Sequence, residues 1–160
     1  MINKYFFVVW VIFFAILSRF LPHPPNFTPI SAIALLSSKG FNNRWIVFLI
    51  PLVSLFISDL FLGLHSTLPF VYLSFILITL LGCYVDKVKI GTVLLSSTIF
   101  FLVSNFGVWL LHYPNTIYGL FQCYLLALPF FLNTILGDLV YGALLIYPFY
   151  ALHKKNLLSV

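Results

Sequence analysis

Between Tyr5 and Leu152 the chain is a succession of apolar runs with almost nothing charged inside them. The longer runs stay apolar for about 16 to 23 residues without alternating, so they do not read as strands of a membrane barrel. Helices are the economical alternative, because in lipid each helix satisfies its own backbone groups. Charged residues make up 7% of the 160, where a soluble domain has about 25%. Eight basic and three acidic side chains cannot build a water-soluble surface. The expected class is therefore all-α: a polytopic transmembrane helical bundle of about six spans, forming one domain over residues 1–160 in a lipid bilayer.

The expected spans are 5–20, 28–38, 45–64, 70–85, 90–111 and 130–152. Pro22, His23, Pro24, Pro25 and Asn26 cannot continue a helix and predict an ordered, extended loop. Gly119–Leu128 is a separate apolar stretch that is expected to end at Pro129. Residues 5–18 look like a signal-peptide core after Lys4, but no small-residue cleavage site follows. This segment is expected to be a retained first span.

The formal net charge is +5. The basic residues lie singly or in pairs between apolar runs, which is the pattern of topology signals and too sparse for nucleic acid. A six-span arrangement with a cytoplasmic N-terminus puts Lys4, Lys39, Arg44, Lys87, Lys89, Lys154 and Lys155 inside and Arg19 alone outside. If Thr28–Ser38 instead dips in and returns, five spans result, Lys4 and Arg19 exchange sides, and the bias is unchanged. Both arrangements leave the C-terminus cytoplasmic and turn the loops at His65–Pro69 and His112–Tyr118 outward.

Polar groups at membrane depth are costly and ask for a reason. Asp59 lies fifteen residues after Arg44, roughly 22 Å along a helix, and Asn105 is equally far from Ile90. Counted from Pro129, Asn133 is shallow and Asp138 nearer the midplane, with Thr134 one turn before it. Arg19, His23, Asn26, His65, Thr67, His112, Tyr113, Asn115 and Tyr118 add polar groups in the outer loops, and Trp109 ends the fifth run. The inner half offers boundary lysines, Thr92, Ser96, Ser97 and little else. A channel or proton pump would place polar groups along the whole crossing; this pattern reads as a cup open to the outside. The candidate ligand-binding residues are Asn26, Asp59, His65, Asn105, Trp109, Tyr113, Asn115, Asn133 and Asp138.

Each has a plainer reading. Pro114 and Asn115 suit a turn, and Trp109, Tyr113 and Tyr118 an interfacial aromatic belt. Asp59 could pair with Arg19 or cap a helix, and Asp138 could bond helix to helix. Small residues four apart (Ala34 and Ser38, Ser54 and Ser58, Thr92 and Ser96) mark close-packing seams, inside the bundle or with a partner. No catalytic motif, phosphate-binding loop, metal-ligand spacing or cofactor signature is present, so an enzyme is not expected. Cys83 and Cys123 fall near opposite faces and are expected to stay unpaired.

The strings Asn26-Phe27-Thr28-Pro29-Ile30-Ser31-Ala32-Ile33-Ala34, Ser58-Asp59-Leu60-Phe61-Leu62-Gly63-Leu64-His65, Ser104-Asn105-Phe106-Gly107-Val108-Trp109 with Tyr113-Pro114-Asn115-Thr116, and Pro129-Phe130-Phe131 with Gly137-Asp138 resemble an uncharacterised bacterial inner-membrane family across nearly the whole chain. That family in turn looks like a relative of the substrate-binding S-components of energy-coupling-factor transporters for vitamins. The resemblance implies six helices, a structured first outer loop and a short second helix. It also implies a vitamin- or cofactor-like ligand near the outer face, and a transmembrane coupling protein driven by cytoplasmic ATPases. The functional expectation is a membrane-embedded substrate-binding subunit for small-molecule uptake. The alternative is a structural or assembly subunit of a larger membrane complex with no transport of its own.

Overall fold

A computed structural model describes the backbone of residues 4–154 and the side chains of residues 9–151. The chain is all-helical: α1 (Lys4–Phe20), α2 (Ile30–Gly40), α3 (Arg44–Leu62), α4 (Leu68–Tyr84), α5 (Ile90–His112) and α6 (Ile117–Lys154). Of the basic residues assigned to the inner face, Lys155 lies outside the described residues, as do the side chains of Lys4 and Lys154. Among the described residues, α3, α5 and α6 are long and apolar enough to cross a membrane, and the chain is a membrane protein on that ground. Large apolar side chains such as Phe61 and Ile117 point outward at 75% and 88% exposure, as lipid requires and water would penalise.

Local chemistry sets several helix ends. Asn43 caps α3 by accepting from the Trp45 amide at 2.9 Å, the ordinary use of an Asn side chain at that position. Gly63 closes α3 at φ 108°, a conformation that favours glycine. Pro51 lies inside α3 and has no N–H to give the Val47 carbonyl. Ser37 of α2 supplies the missing bond, donating from Oγ to Val47 O at 2.9 Å.

The shortest helix is the centre of the molecule. α2 packs against all five others, and eight of its eleven residues are buried. The connections α1–α2, α3–α4 and α5–α6 meet at one end, where Ser66 and His112 Nε2 lie 2.9 Å apart. This is the polar end. At the opposite, basic end, Lys39 donates to the Val85 carbonyl and the Val88 amide donates to Tyr150 Oη at 2.9 Å.

α2 runs from the interior of the bundle toward the basic end. Its first turn meets Asp138 within the bundle, and its last turn reaches the C-terminal end of α4 through Lys39. Eleven residues rise about 16 Å, roughly half a hydrocarbon core. The Leu21–Pro29 segment before it packs among the helices. Phe27 lies against Gly137 and edge-on to the Tyr141 ring at 5.5 Å.

The last helix departs from the sequence expectation. α6 does not begin after Pro129 but runs unbroken from Ile117 through Pro129 and Pro148. Proline is tolerated in buried membrane helices, where neighbours resatisfy freed backbone groups. Tyr124 reaches the Leu102 carbonyl and Asp138 meets Ser97. Fourteen residues of α6 thus pass five residues of α5, about 21 Å against about 8 Å. Two straight antiparallel helices could not pair so, and Pro129 lies within the surplus.

Candidate functional site

A cavity of about 360 Å³ opens at the polar end. Its walls come from the end of α1, the Leu21–Pro29 segment, the α3–α4 loop and the facing surfaces of α4, α5 and α6. The floor is the first turn of α2 at Ser31; below it Ile33, Ala34 and Leu35 are at most 2% exposed. Hence the opening ends within the bundle at the level where α2 begins.

Three candidate residues from the sequence line the cavity: Asn26, His65 and Asn105. Asn26 has a left-handed backbone at φ 66°, which asparagine tolerates better than most residues. The Phe27 amide closes a turn onto Pro24 O at 3.0 Å. His65 Nδ1 and Thr67 Oγ1 lie 2.8 Å apart. Asn105 donates from Nδ2 to the Phe101 carbonyl at 2.8 Å, which leaves its side-chain oxygen as an acceptor.

The two aspartates stand behind the wall. Asp59, 2% exposed, accepts from Arg19 Nη1 at 2.7 Å on Oδ1 and from Tyr72 Oη at 3.0 Å on Oδ2. Arg19 Nη1 also donates to Ser58 Oγ at 2.5 Å. A buried carboxylate is tolerable only with such partners. Asp138, also 2% exposed, accepts from Ser97 Oγ at 2.6 Å and from the Ser31 hydroxyl. Ser31 sits in the first turn of α2, where the helix dipole favours negative charge.

Asp138 is deeper than counting from Pro129 suggested. Its partner Ser97 lies only seven residues from the start of α5 at the basic end, because α6 starts twelve residues before Pro129. Asn133 moves with it: sixteen residues into α6 and half-buried, it is neither shallow nor part of the lining. Tyr113 and Asn115 lie in the α5–α6 turn, and Trp109 lies in the last turn of α5. Trp109 Nε1 donates to Pro114 O at 3.1 Å, Tyr113 is half-buried and Asn115 exposed. None of the three lines the cavity.

Arg19, Ser31 and Tyr72 were not among the sequence candidates. Arg19 carried a signal, as the one basic residue on the polar side of the six-span arrangement. Ser31 and Tyr72 carried none, since a lone hydroxyl in an apolar run shows neither its face nor its partner. Among the described residues no group of three His, Cys, Asp or Glu could hold a metal, and Cys83 and Cys123 are free thiols.

The profile of a family of unknown function, DUF6580, matches residues 1–159. No curated protein and no solved structure matches the chain.

Proposed function

The chain belongs to this family of unknown function, so its activity is read from its own residues, and we propose that it is a substrate-binding subunit for uptake of a small molecule. The ligand occupies the cavity at the polar end, which faces outward across a bacterial inner membrane, with six crossings and both termini cytoplasmic. The observation that carries this reading is the one-sided cavity itself. It is polar at the mouth, lined by side chains from most of the helices and stopped by the packed α2. Its volume lies at the small end of ligand pockets and is close to that of a dozen waters, about 30 Å³ each. The likeness to S-components belongs to this proposal, as does a transmembrane coupling protein with cytoplasmic ATPases that would move the ligand inward.

The test is thermal unfolding of the purified full chain against a library of vitamins, cofactors and their precursors. One chemical family should raise Tm in a saturable way, and Asn105→Ala should weaken that effect. Absence of any saturable shift overturns the reading.

One observation favours the second reading, an assembly subunit. An apolar groove of about 350 Å³ runs between α1 and α6 over α2, lined by Val11, Phe14, Ile33, Leu36, Leu144 and Leu145. A partner helix seated there would co-purify stoichiometrically in mild detergent.

A further inference from the structure

The ionisable side chains lining the cavity are Arg19, His23 and His65, all basic residues. The two aspartates nearest to it are each turned to a protein partner, and neither is part of the lining. A cavity with three basic groups and no exposed carboxylate among the described residues does not suit a cation.

Arg19 is held in a particular way. Among the described residues, the hydrogen bonds and the ion pair of its guanidinium are made by Nη1: to Asp59, to Ser58 and, at 3.4 Å, to Leu55 O. Nε and Nη2 carry three further N–H bonds with no protein acceptor among the described residues. No buried side-chain nitrogen lacks a partner among the described residues, so these two atoms are exposed, and Arg19 is one of the residues that line the cavity. A guanidinium edge of this kind matches the two oxygens of a carboxylate. Asp59 holds Nη1 on one oxygen and accepts from Tyr72 on the other.

The opposite wall has the complementary character. Ser104 Oγ donates to Phe100 O at 2.6 Å and Thr134 Oγ1 to Phe130 O at 2.9 Å. With their protons committed to their own helices, both hydroxyls, and the Asn105 side-chain oxygen, face a ligand as acceptors. Phe75, Phe100 and Phe130 supply apolar surface between the two ends.

Resting on the binding reading above, we propose that the ligand is a small monocarboxylic acid with an apolar or aromatic body. Its carboxylate lies on the Nε–Nη2 edge of Arg19, and an N–H or O–H at its far end donates to Ser104, Thr134 or Asn105. Arg19 and Asp59 together carry no net charge, so a bound carboxylate leaves one negative charge to be offset by His23 and His65, where a phosphate monoester would leave two.

The test uses matched probes on the purified full chain, read as Tm shift and as Kd. The acids are 4-aminobenzoate and indole-3-carboxylate. Each is set beside its primary amide, and 4-aminobenzylamine and phenyl phosphate complete the panel. The acids should stabilise and the amides should not. Arg19→Lys keeps a cation for Asp59 but loses the planar edge. It should remain folded and bind the acids at least tenfold more weakly. Equal binding of acid and amide, stronger binding of the amine or of phenyl phosphate, or unchanged binding by Arg19→Lys overturns the carboxylate assignment while leaving the cavity a binding site. No shift from any probe, beside a saturable shift from a member of the wider library, overturns the carboxylate assignment alone; no shift from either set overturns it together with the binding reading.

Discussion

Ser37 shows how one hydroxyl can set the tolerance of a helix for proline. Its Oγ meets both Ala34 O and Val47 O at 2.9 Å, and the second is the carbonyl that Pro51 leaves without its helical donor. Ser37→Ala should therefore destabilise the protein by about 1–3 kcal/mol, the usual cost of orphaning a buried acceptor. In a Pro51→Ala background, where an amide returns to position 51, the same change should cost less. Denaturant unfolding of the four proteins in detergent measures the difference, and equal costs in both backgrounds would refute the pairing. The Arg19–Asp59 pair belongs to the same scale. Its partners were named by sequence depth alone, but which edge of the guanidinium stayed open depended on Ser58 and Tyr72, whose orientation no spacing encodes.

At the scale of the helix, α1 to α5 start and stop within two residues of the apolar runs read from the sequence. Hydrophobic length, proline clusters and asparagine caps are local signals, and they decide these boundaries. α6 differs because proline has two meanings. In water it ends helices, whereas between packed membrane helices the freed carbonyl finds other company. Reading Pro129 as a stop shifted the depths of Asn133 and Asp138 together. The small-residue seams resolve in favour of internal packing: Ala34, Ser54, Ser58 and Ser96 are all fully buried within the chain. Gly137 is a further point of close approach, on α6. A Cβ there would lie 2.9 Å from Phe27 Cα, which is backbone and cannot swing aside. Gly137→Ala should lower stability by about 1–3 kcal/mol through overpacking. It should also weaken any cavity ligand, because Asn26 and Thr28 flank the displaced residue. An unchanged Tm in thermal unfolding would mean that the Leu21–Pro29 segment does not sit against α6.

For the whole molecule, charge counting left five and six crossings equal, and α2 is a short apolar helix of eleven residues at the centre of the bundle. In either arrangement the α2–α3 and α5–α6 connections emerge on opposite faces. In a chain whose native Cys83 and Cys123 are replaced by serine and alanine, Asn115→Cys should react with a membrane-impermeant maleimide added to intact cells. Asn42→Cys should react only after the membrane is opened. The reverse pattern would invert the proposed orientation and place the cavity mouth in the cytoplasm. The gathering of loop polar residues at the end that carries the α1–α2, α3–α4 and α5–α6 connections was legible in the sequence, whereas the depths of Asn133 and Asp138 were not. Nor was the division of labour around the cavity: Asp59 and Asp138, the most conspicuous residues in the sequence, stand behind its wall, and plainer residues line it.

The half-length of α2 bears on how the chain is made. An insertion machinery that reads about twenty apolar residues at a time would not recognise an eleven-residue segment as a span in its own right. Proline-rich backbone leading into it has no helical hydrogen bonds to shield it from lipid. The segment from Leu21 to Gly40 must therefore be drawn into the bilayer by its neighbours and settle only once α3 and α4 can enclose it. The centre of the finished bundle would then be among the last parts to reach its place during biogenesis.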